Sequence, residues 1–438
     1  MMSRPDPSIA SIDLDPTIAR RGRMIARMPE IVRALRHRNY RLYFAGQMFS
    51  LVGTWMQQIA MGWLTWRLTG STLLLGVVSF AGQIPILLLA PLGGLWSDRA
   101  DRRRLLIGTQ ACALAQAVAL AGLTVTGAVQ PWHLVTAALV LGCINAVDVP
   151  ARQSFFVQLV ERREDLPNAI ALNSFAMNGA RLVGPAAAGL IVAAVGEAVC
   201  FALNAASYLA VLLALAAIRT RSAKRAASGL RRALADGFRY AFGTPAVRGL
   251  LGLIAAVSFA ATPYAVLMPA FARDVFAGGA ATFGLLMTCA GGGAVVGTVV
   301  LAARRSARGL DRTIAAAPFV VGTGVLAFAA SGRLWLAVPS LMAVGFGIIS
   351  AVAGGNTALQ TLVRDELRGR VMSIFTMSFL GIAPLGALAA GAAAEHLGVR
   401  ATLALGALAT IAAGIAFLRV RARLAQALDQ AASAATGT

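Results

Sequence analysis

Long apolar stretches alternate with short, arginine-rich polar stretches along most of this chain. A helix that crosses a bilayer needs about 20 mostly apolar residues, because each residue advances about 1.5 Å across a hydrocarbon core about 30 Å thick. Twelve stretches are long enough: 40–66, 73–97, 105–127, 132–151, 169–195, 198–218, 246–272, 282–303, 313–331, 334–359, 371–394 and 401–418. The pattern predicts an all-α membrane protein with twelve transmembrane helices.

The composition supports a lipid-facing surface. Charged residues make up 13% of the chain and hydrophobic residues 58%, whereas a soluble domain carries roughly a quarter charged residues. The net charge of +21 could suggest nucleic-acid binding. However, the basic residues lie in short runs between apolar stretches. They are not clustered with aromatic or polar side chains that could contact bases. We therefore expect no nucleic-acid partner.

The placement of the basic residues predicts the orientation. If both termini are cytoplasmic, 34 of the 39 basic residues fall on or next to the cytoplasmic side and four on the opposite side, and Arg181 alone lies deep inside a span. This bias is the positive-inside pattern. Residues 1–39 lack the apolar core of a signal peptide. We expect a multi-pass protein of a bacterial plasma or inner membrane.

The spans divide into two sets of six. The predicted parts are a cytoplasmic segment 1–39, a six-helix bundle 40–218, a cytoplasmic linker 219–245, a second bundle 246–420 and a cytoplasmic tail 421–438. A weak repeat supports this division, since Pro185 in GARLVGPAAAG corresponds to Pro384 in LGIAPLGALAAG, 199 residues later. Two related six-helix halves around a central cavity are a recurring design of secondary transporters.

No motif for other functional classes occurs. The chain lacks G-x-x-x-x-G-K-[ST], H-E-x-x-H and G-x-S-x-G, which argues against nucleotide-driven transport and against an intramembrane enzyme. The four cysteines form no C-x-x-C pair. We expect no catalytic residue, no metal and no cofactor.

The loop between the second and third spans carries the sharpest motif, GLWSDRADRRR at 94–104. Gly94 allows a neighbouring helix to approach closely, and the Asp98 carboxylate could cap a helix N-terminus. The arginines at 102, 103 and 104 could pair with that carboxylate, with Asp148 or with lipid head groups. The plainer alternative is a positive-inside loop with incidental acids.

This loop resembles the signature G-x-x-x-D-R-x-G-R-R-[RK] of the major facilitator superfamily. The matching residues are Gly94, Asp98, Arg99, Arg102, Arg103 and Arg104, while Asp101 stands where the family has glycine. Two further stretches, NYRLYFAGQMFSLVGTWMQQIAMGWLTWRLTGS and VDVPARQSFFVQLVERREDLPNAIALNS, resemble the branch that contains enterobactin-type siderophore exporters and macrolide efflux proteins. The resemblance covers about 36–423 and implies the major facilitator fold, with two pseudo-symmetric six-helix bundles.

The resemblance also implies a cytoplasmic inner latch, formed by Gly94, Asp98, Arg99, Arg102, Arg103, Arg104 and Asp148. In such a latch, Asp98 would cap the eleventh helix, and Asp148 would pair with Arg102 or Arg103. Two alternatives remain for Asp148. It could couple protons, or it could pair locally with Arg152, four residues later.

Arg181 is the only basic residue deep inside a span, since Arg41 and Arg248 lie at the ends of theirs. It lies ~20 Å along the fifth span, near mid-membrane, where a charge usually faces a cavity or a partner. Asn178 precedes it by one turn, and Gly184, Pro185 and Gly189 follow in a pattern similar to the Gly-Pro motif of antiporters. Arg181 either attracts anionic solutes in a cavity, or bonds to carbonyls near Pro185 and to Asn178 or Asn145.

Other polar residues within spans are Gln57, Gln58, Gln83, Asn145 and Asn204. Each forms either an interhelical hydrogen bond or a ligand contact. Our candidates for substrate binding or coupling are Arg181, Asn145, Asn178, Gln83 and Gln57. No acid lies at mid-membrane among the first six spans, which disfavours specialised recognition of cations.

These features together predict a secondary active transporter. The resemblance to the exporter branch implies proton-coupled export of siderophore-, macrolide- or drug-like amphiphiles by alternating access. The expected partners are the small-molecule substrate, protons and membrane lipids, with the chain acting as a monomer. The alternative is a lipid flippase or a transporter-derived receptor without net flux.

Overall fold

The computed structural model describes residues 30–218, 238–304 and 309–435, and at 30–31, 90–99, 365–366 and 431–435 it describes the backbone alone. The predicted N-terminal segment up to residue 29, most of the central linker and the last three residues lie outside the described residues. No strand occurs in the three described ranges. The predicted all-α class is confirmed.

Six long helices form the first half of the chain: α1 (Arg38–Thr69), α2 (Thr72–Arg99), α3 (Arg102–Val125), α4 (Pro131–Gln158), α5 (Leu166–Val195) and α6 (Glu197–Ala217). A 3₁₀ helix, Glu30–Arg36, precedes α1. Five of these helices match the predicted spans to within three residues at each end, while α4 continues to Gln158, past the predicted end at 151. Local caps place the helix ends. At the start of α3, the Asp101 carboxylate accepts hydrogen bonds from the backbone N–H groups of Arg103 and Arg104.

The second half contains α7 (Pro245–Val275), α8 (Ala280–Ala302), α9 (Leu310–Ala330), α10 (Leu334–Leu362), α11 (Asp365–Thr376 and Ala383–Leu397) and α12 (Val399–Ala435). Residues 238–243 are also helical. The regular α-helix of α7 stops at Ala260 and resumes at Tyr264, and a π turn, Met377–Gly381, divides α11. Pro263 lies in the first interruption and Pro384 just after the second. Proline lacks the N–H that a helix interior requires, so it favours an interruption of the regular helix at or near its position. Pro150 and Pro185 lie inside uninterrupted helices.

Eleven segments of the described chain are long and apolar enough to cross a membrane, and α1 is not among them. This helix has 32 residues, but its glutamines at 47, 57 and 58 lower its hydropathy. Gln47 and Gln57 are buried against other helices, so α1 presents part of its polar surface to protein rather than to lipid. The prediction of a polytopic helical membrane protein is confirmed, with eleven of the twelve predicted spans recognisable by length and composition.

The packing partners of the helices repeat at an interval of six. α1 packs against α5 and α6, as α7 packs against α11 and α12. α2 packs against α4, as α8 packs against α10, and α3 contacts α4 and α6, as α9 contacts α10 and α12. The two sets meet where α2 lies along α11 and where α5 lies along α8. A central space is left between these two crossings.

Candidate functional site

A cavity of about 270 Å³ lies where α1, α2 and α4 face α7 and α8. Its polar lining comes from the first half of the chain: Thr54, Gln57, Gln58, Ser79, Gln83 and Asn145. The second half contributes apolar side chains, among them Phe283 and Met287 on α8. No described lining residue carries a charge. The cavity therefore suits a solute with a large apolar surface and a few hydrogen-bonding groups.

Two amide side chains of this cavity are available to a solute. Asn145 is half-buried and Gln58 is exposed, and neither amide has a hydrogen-bond partner among the described residues. Gln83 is partly engaged, because its Nε2 atom donates to the Ser79 hydroxyl at 3.0 Å on the same helix. Each amide offers both a donor and an acceptor, so the polar wall can bind solutes of either hydrogen-bonding character.

Gln57 borders the same cavity, but its amide is committed to helix packing. Asn204 on α6 donates to the Gln57 Oε1 atom at 2.7 Å, and the Gln57 Nε2 atom donates to Gln116 on α3 at 3.0 Å. All three side chains are buried. Such amide chains join helices where lipid offers no polar partner. For Gln57 and Asn204, the geometry favours the interhelical hydrogen bond over the ligand contact.

Arg181 lies near the middle of α5 and is not among the residues that line this cavity. Its guanidinium carbon stands 5.6 Å from the centroid of the Trp55 ring, within the range of a cation–π interaction. The Tyr264 side chain on α7 is within electrostatic range. Arg181 has no hydrogen bond or ion pair within the described part of the chain, and Asn178 donates instead to the Ser174 backbone oxygen. The carbonyl-bonded structural role considered for Arg181 is therefore absent from this conformation.

The glycines of the helix-five motif allow close helix contacts. A Cβ atom at Gly184 would lie 2.4 Å from the Trp55 Cβ atom, so Gly184 allows α1 to pack against α5 beside Arg181. Gly189 lies against Gly284 of α8, where a Cβ atom would meet the Ala280 backbone oxygen at 2.9 Å. Only the smallest residue permits these distances. The motif therefore packs α5 against both α1 and α8.

The inner latch is only partly visible. Gly94, Asp98 and Arg99 fall outside the residues whose side chains are described. Arg102 and Arg104 lie in the first turn of α3, and Arg103 donates to the backbone oxygens of Leu215 and Ala216 at 2.7 and 3.0 Å. Arg103 thus joins the start of α3 to the end of α6, and the expected pairing of Arg103 with Asp148 is not present in this conformation.

Asp148 is fully buried in α4, and its described partners lie in α3 and α4. It forms an ion pair with Arg152, one helical turn later, and accepts hydrogen bonds from Thr109 and Gln110 of α3 at 2.7 and 2.9 Å. The pairing that the four-residue spacing allows is the one that forms. This arrangement neutralises both charges within the first half of the chain.

Gln58 lines the cavity but is not among the substrate-binding candidates predicted from the sequence. Adjacent residues of a helix point about 100° apart, so Gln57 turns towards α3 and α6 while Gln58 remains available to the cavity. The spacing of small and polar residues along α1 could have indicated Gln58. Thr54, Gln58 and Gly62 recur every four residues and share one face of α1, and all three line the cavity.

The chain matches a protein family and several known proteins over most of its length. Residues 32–437 match the family of transmembrane secretion effectors. The staphyloferrin A transporter of Staphylococcus aureus is 25% identical over 393 residues, covering 89% of this chain and 98% of that protein. The multidrug efflux pump Tap of Mycobacterium tuberculosis is 28% identical, covering 86% of this chain and 91% of the pump. Macrolide efflux protein A of Streptococcus pyogenes is 22% identical, covering 83% and 92%.

The fold also resembles solved transporter structures. A POT family transporter aligns with a TM-score of 0.71 at 10% sequence identity, covering 88% of this chain and 96% of that one. At this identity the likeness concerns the fold alone.

Proposed function

The chain belongs to the transmembrane secretion effectors of the major facilitator superfamily, and on that basis we propose that it exports amphiphilic small molecules as a proton-coupled secondary transporter. Efflux is the activity named for two of the similar proteins, Tap and macrolide efflux protein A. The chain contains no nucleotide-binding G-x-x-x-x-G-K-[ST] motif, which supports an ion gradient rather than nucleotide hydrolysis as the energy source. Siderophore-, macrolide- and drug-like compounds are the proposed substrate range.

One observation carries this proposal: an uncharged cavity lies between the two halves and is lined by both. Movement of one half against the other would change the side from which such a cavity is reached, as alternating access requires. Its apolar walls and its amides at Gln58, Gln83 and Asn145 fit amphiphiles. A receptor or a lipid flippase without net flux of solutes remains the alternative function.

The architecture proposed for this function has twelve spans. It consists of the bundles 40–218 and 246–420, joined by the linker 219–245, with both termini in the cytoplasm of a bacterial cell and the chain a monomer. The recurrence of helix contacts at an interval of six supports the two bundles. The inclusion of α1 as a span is supported by its length of 32 residues.

A flux measurement with cavity variants tests the proposal. The purified protein is reconstituted into vesicles with an imposed proton gradient, and a panel of neutral, cationic and anionic amphiphilic dyes is offered. We expect gradient-dependent accumulation of at least one dye, which Asn145→Ala and Gln58→Ala reduce several-fold. Asn173→Ala is the matched control, because that amide lies on α5, is not among the residues that line the cavity, and among the described residues forms a hydrogen bond only to the Met177 sulfur. Binding without accumulation, in parent and variants alike, would favour the receptor.

A further inference from the structure

A carboxylate of α11 caps the first turn of α2, across the boundary between the two halves. The Glu395 Oε2 atom accepts hydrogen bonds from the Leu73 backbone N–H at 3.1 Å and from the Thr72 hydroxyl at 2.9 Å. The Ser71 hydroxyl lies 3.3 Å from the same oxygen. The first N–H groups of a helix have no partner within the helix and carry partial positive charge. Glu395 therefore supplies an N-terminal cap from a helix more than 300 residues away.

A backbone contact one turn earlier brings this carboxylate into place. A Cβ atom at Gly391 would lie 2.6 Å from the Thr72 backbone oxygen, and one at Gly76 would lie 2.8 Å from the Ala387 backbone oxygen. The Thr72 hydroxyl also lies 3.0 Å from the Gly391 backbone oxygen. At this point the backbones of α2 and α11 are in direct contact, so the two helices cannot separate here without breaking the Glu395 contacts.

The other crossing has the glycine contact without the carboxylate. Gly189 and Gly284 bring α5 and α8 together near the start of α8, with the same backbone contacts that Gly391 and Gly76 make. In these contacts Pro185 takes the place of Ala387, so the helix contacts do not match Pro185 with Pro384 as the sequence repeat predicts. The residue one turn after Gly189 is Ala193, where α11 has Glu395. The N-cap residue of α8, Gly279, has no side-chain cap. Of the two crossings, only that of α2 with α11 therefore has a carboxylate that caps a helix of the other half.

We propose that Glu395, Ser71 and Thr72 form an outer strap, a positioning device that favours the state in which the outer ends of the two halves are closed. This inference rests on the proposed alternating access and on the predicted orientation, which puts these helix ends outside. Glu395 is exposed, so water can replace its partners once the ends separate. The strap therefore biases the equilibrium rather than locks it, by about fivefold in the ratio of closed to open states.

Spin–spin distance measurement tests the strap. Labels at Ala128→Cys and Gly332→Cys, both exposed in outer loops of the two halves, are introduced after the four native cysteines are replaced. In the full-length purified protein, Glu395→Ala should raise the ratio of long to short distances by about fivefold. Glu395→Gln retains an acceptor oxygen and loses the charge, so it should raise the ratio less.

The matched control is Glu197→Gln. It removes the same charge from the same side of the membrane, but Glu197 pairs with Arg67 between α6 and α1, at 2.8 Å within one half. It should leave the distance distribution unchanged. A distribution in Glu395→Ala equal to the parent's would overturn the strap, and so would a lowered unfolding temperature with unchanged distances. Absence of flux in the parent would count against the proposed function alone, because the distances are measured without transport.

Discussion

Gly189 and Gly284 bring the backbones of α5 and α8 into direct contact, since a Cβ atom at Gly284 would lie 2.7 Å from the Gly189 Cα atom and 2.6 Å from the Pro185 backbone oxygen. The two glycines belong to different halves of the chain. Their contact closes one side of the central space and depends on the absence of a side chain at both positions. The first prediction follows from this contact.

Gly284→Ala should lower the unfolding temperature. The added methyl group overlaps backbone atoms that cannot rotate away, and overpacking of this kind costs about 1–3 kcal/mol. Gly252→Ala is the control, because it adds the same methyl group inside α7 where no heavy atom lies within 4 Å. Thermal unfolding in detergent compares the two. Equal unfolding temperatures would show that the α5–α8 contact adapts without cost.

Replacement of Arg181 separates a binding role from a packing role. Arg181→Ala should abolish transport of anionic solutes while the protein remains folded and inserted, because the guanidinium has no hydrogen-bond partner among the described residues to lose. Arg181→Lys keeps the charge without the forked donor geometry, so partial activity should survive. Flux of an anionic dye and membrane abundance are measured together. If both variants reduce abundance and unfolding temperature alike, the residue serves packing.

Asp148→Asn should destabilise the protein strongly. It leaves the partly buried Arg152 without its counter-charge, and the expected cost approaches the about 3–5 kcal/mol of breaking a fully buried ion pair from one side. The double variant Asp148→Asn, Arg152→Gln removes both charges and should recover most of the folded protein. Size-exclusion profiles after heating report the folded fraction. A double variant that folds but does not transport would assign Asp148 to coupling, and a fully stable single variant would contradict the ion-pair argument.

Asp98→Ala should lower transport severely at a membrane abundance close to the parent's, since the inner latch is proposed to act on the balance between two states. Asp101→Ala is the control in the same loop. Asp101 caps α3 locally, and loss of such a cap costs about 1 kcal/mol of stability without touching the other half. Normal transport by Asp98→Ala at equal abundance would rule out the latch.

The predicted orientation is open to thiol labelling. In a background without native cysteines, an impermeant reagent applied to intact cells should label Gly279→Cys, at the outer start of α8, and should not label Ser222→Cys in the central linker. Permeabilised cells provide the control, because both sites should then react. Labelling of Ser222→Cys alone in intact cells would reverse the topology.

Part of the candidate site could be predicted from sequence and part could not. Gln83 and Asn145 stood out because polar residues are costly inside an apolar span, and both line the cavity. Arg181 and Asn178 stood out for the same reason, yet they lie outside the lining. The free-energy cost of a polar side chain inside an apolar span indicates that the residue has a role. It does not distinguish a side chain that faces a solute from one that faces another helix.

The residue pattern along the chain predicts the membrane class and the approximate ends of the helices, because a bilayer demands long apolar segments whose backbone bonds are satisfied internally. The motif at 94–104 indicates the family. Which polar atoms meet depends on how the helices pack against one another. Gln57 and Gln58 are neighbours in sequence, but helix packing engages the amide of one and leaves the other beside the cavity. Glu395 reaches the start of α2 because two glycines let the helices touch. Such contacts depend on helix rotation and on the approach of distant segments, which no local pattern encodes.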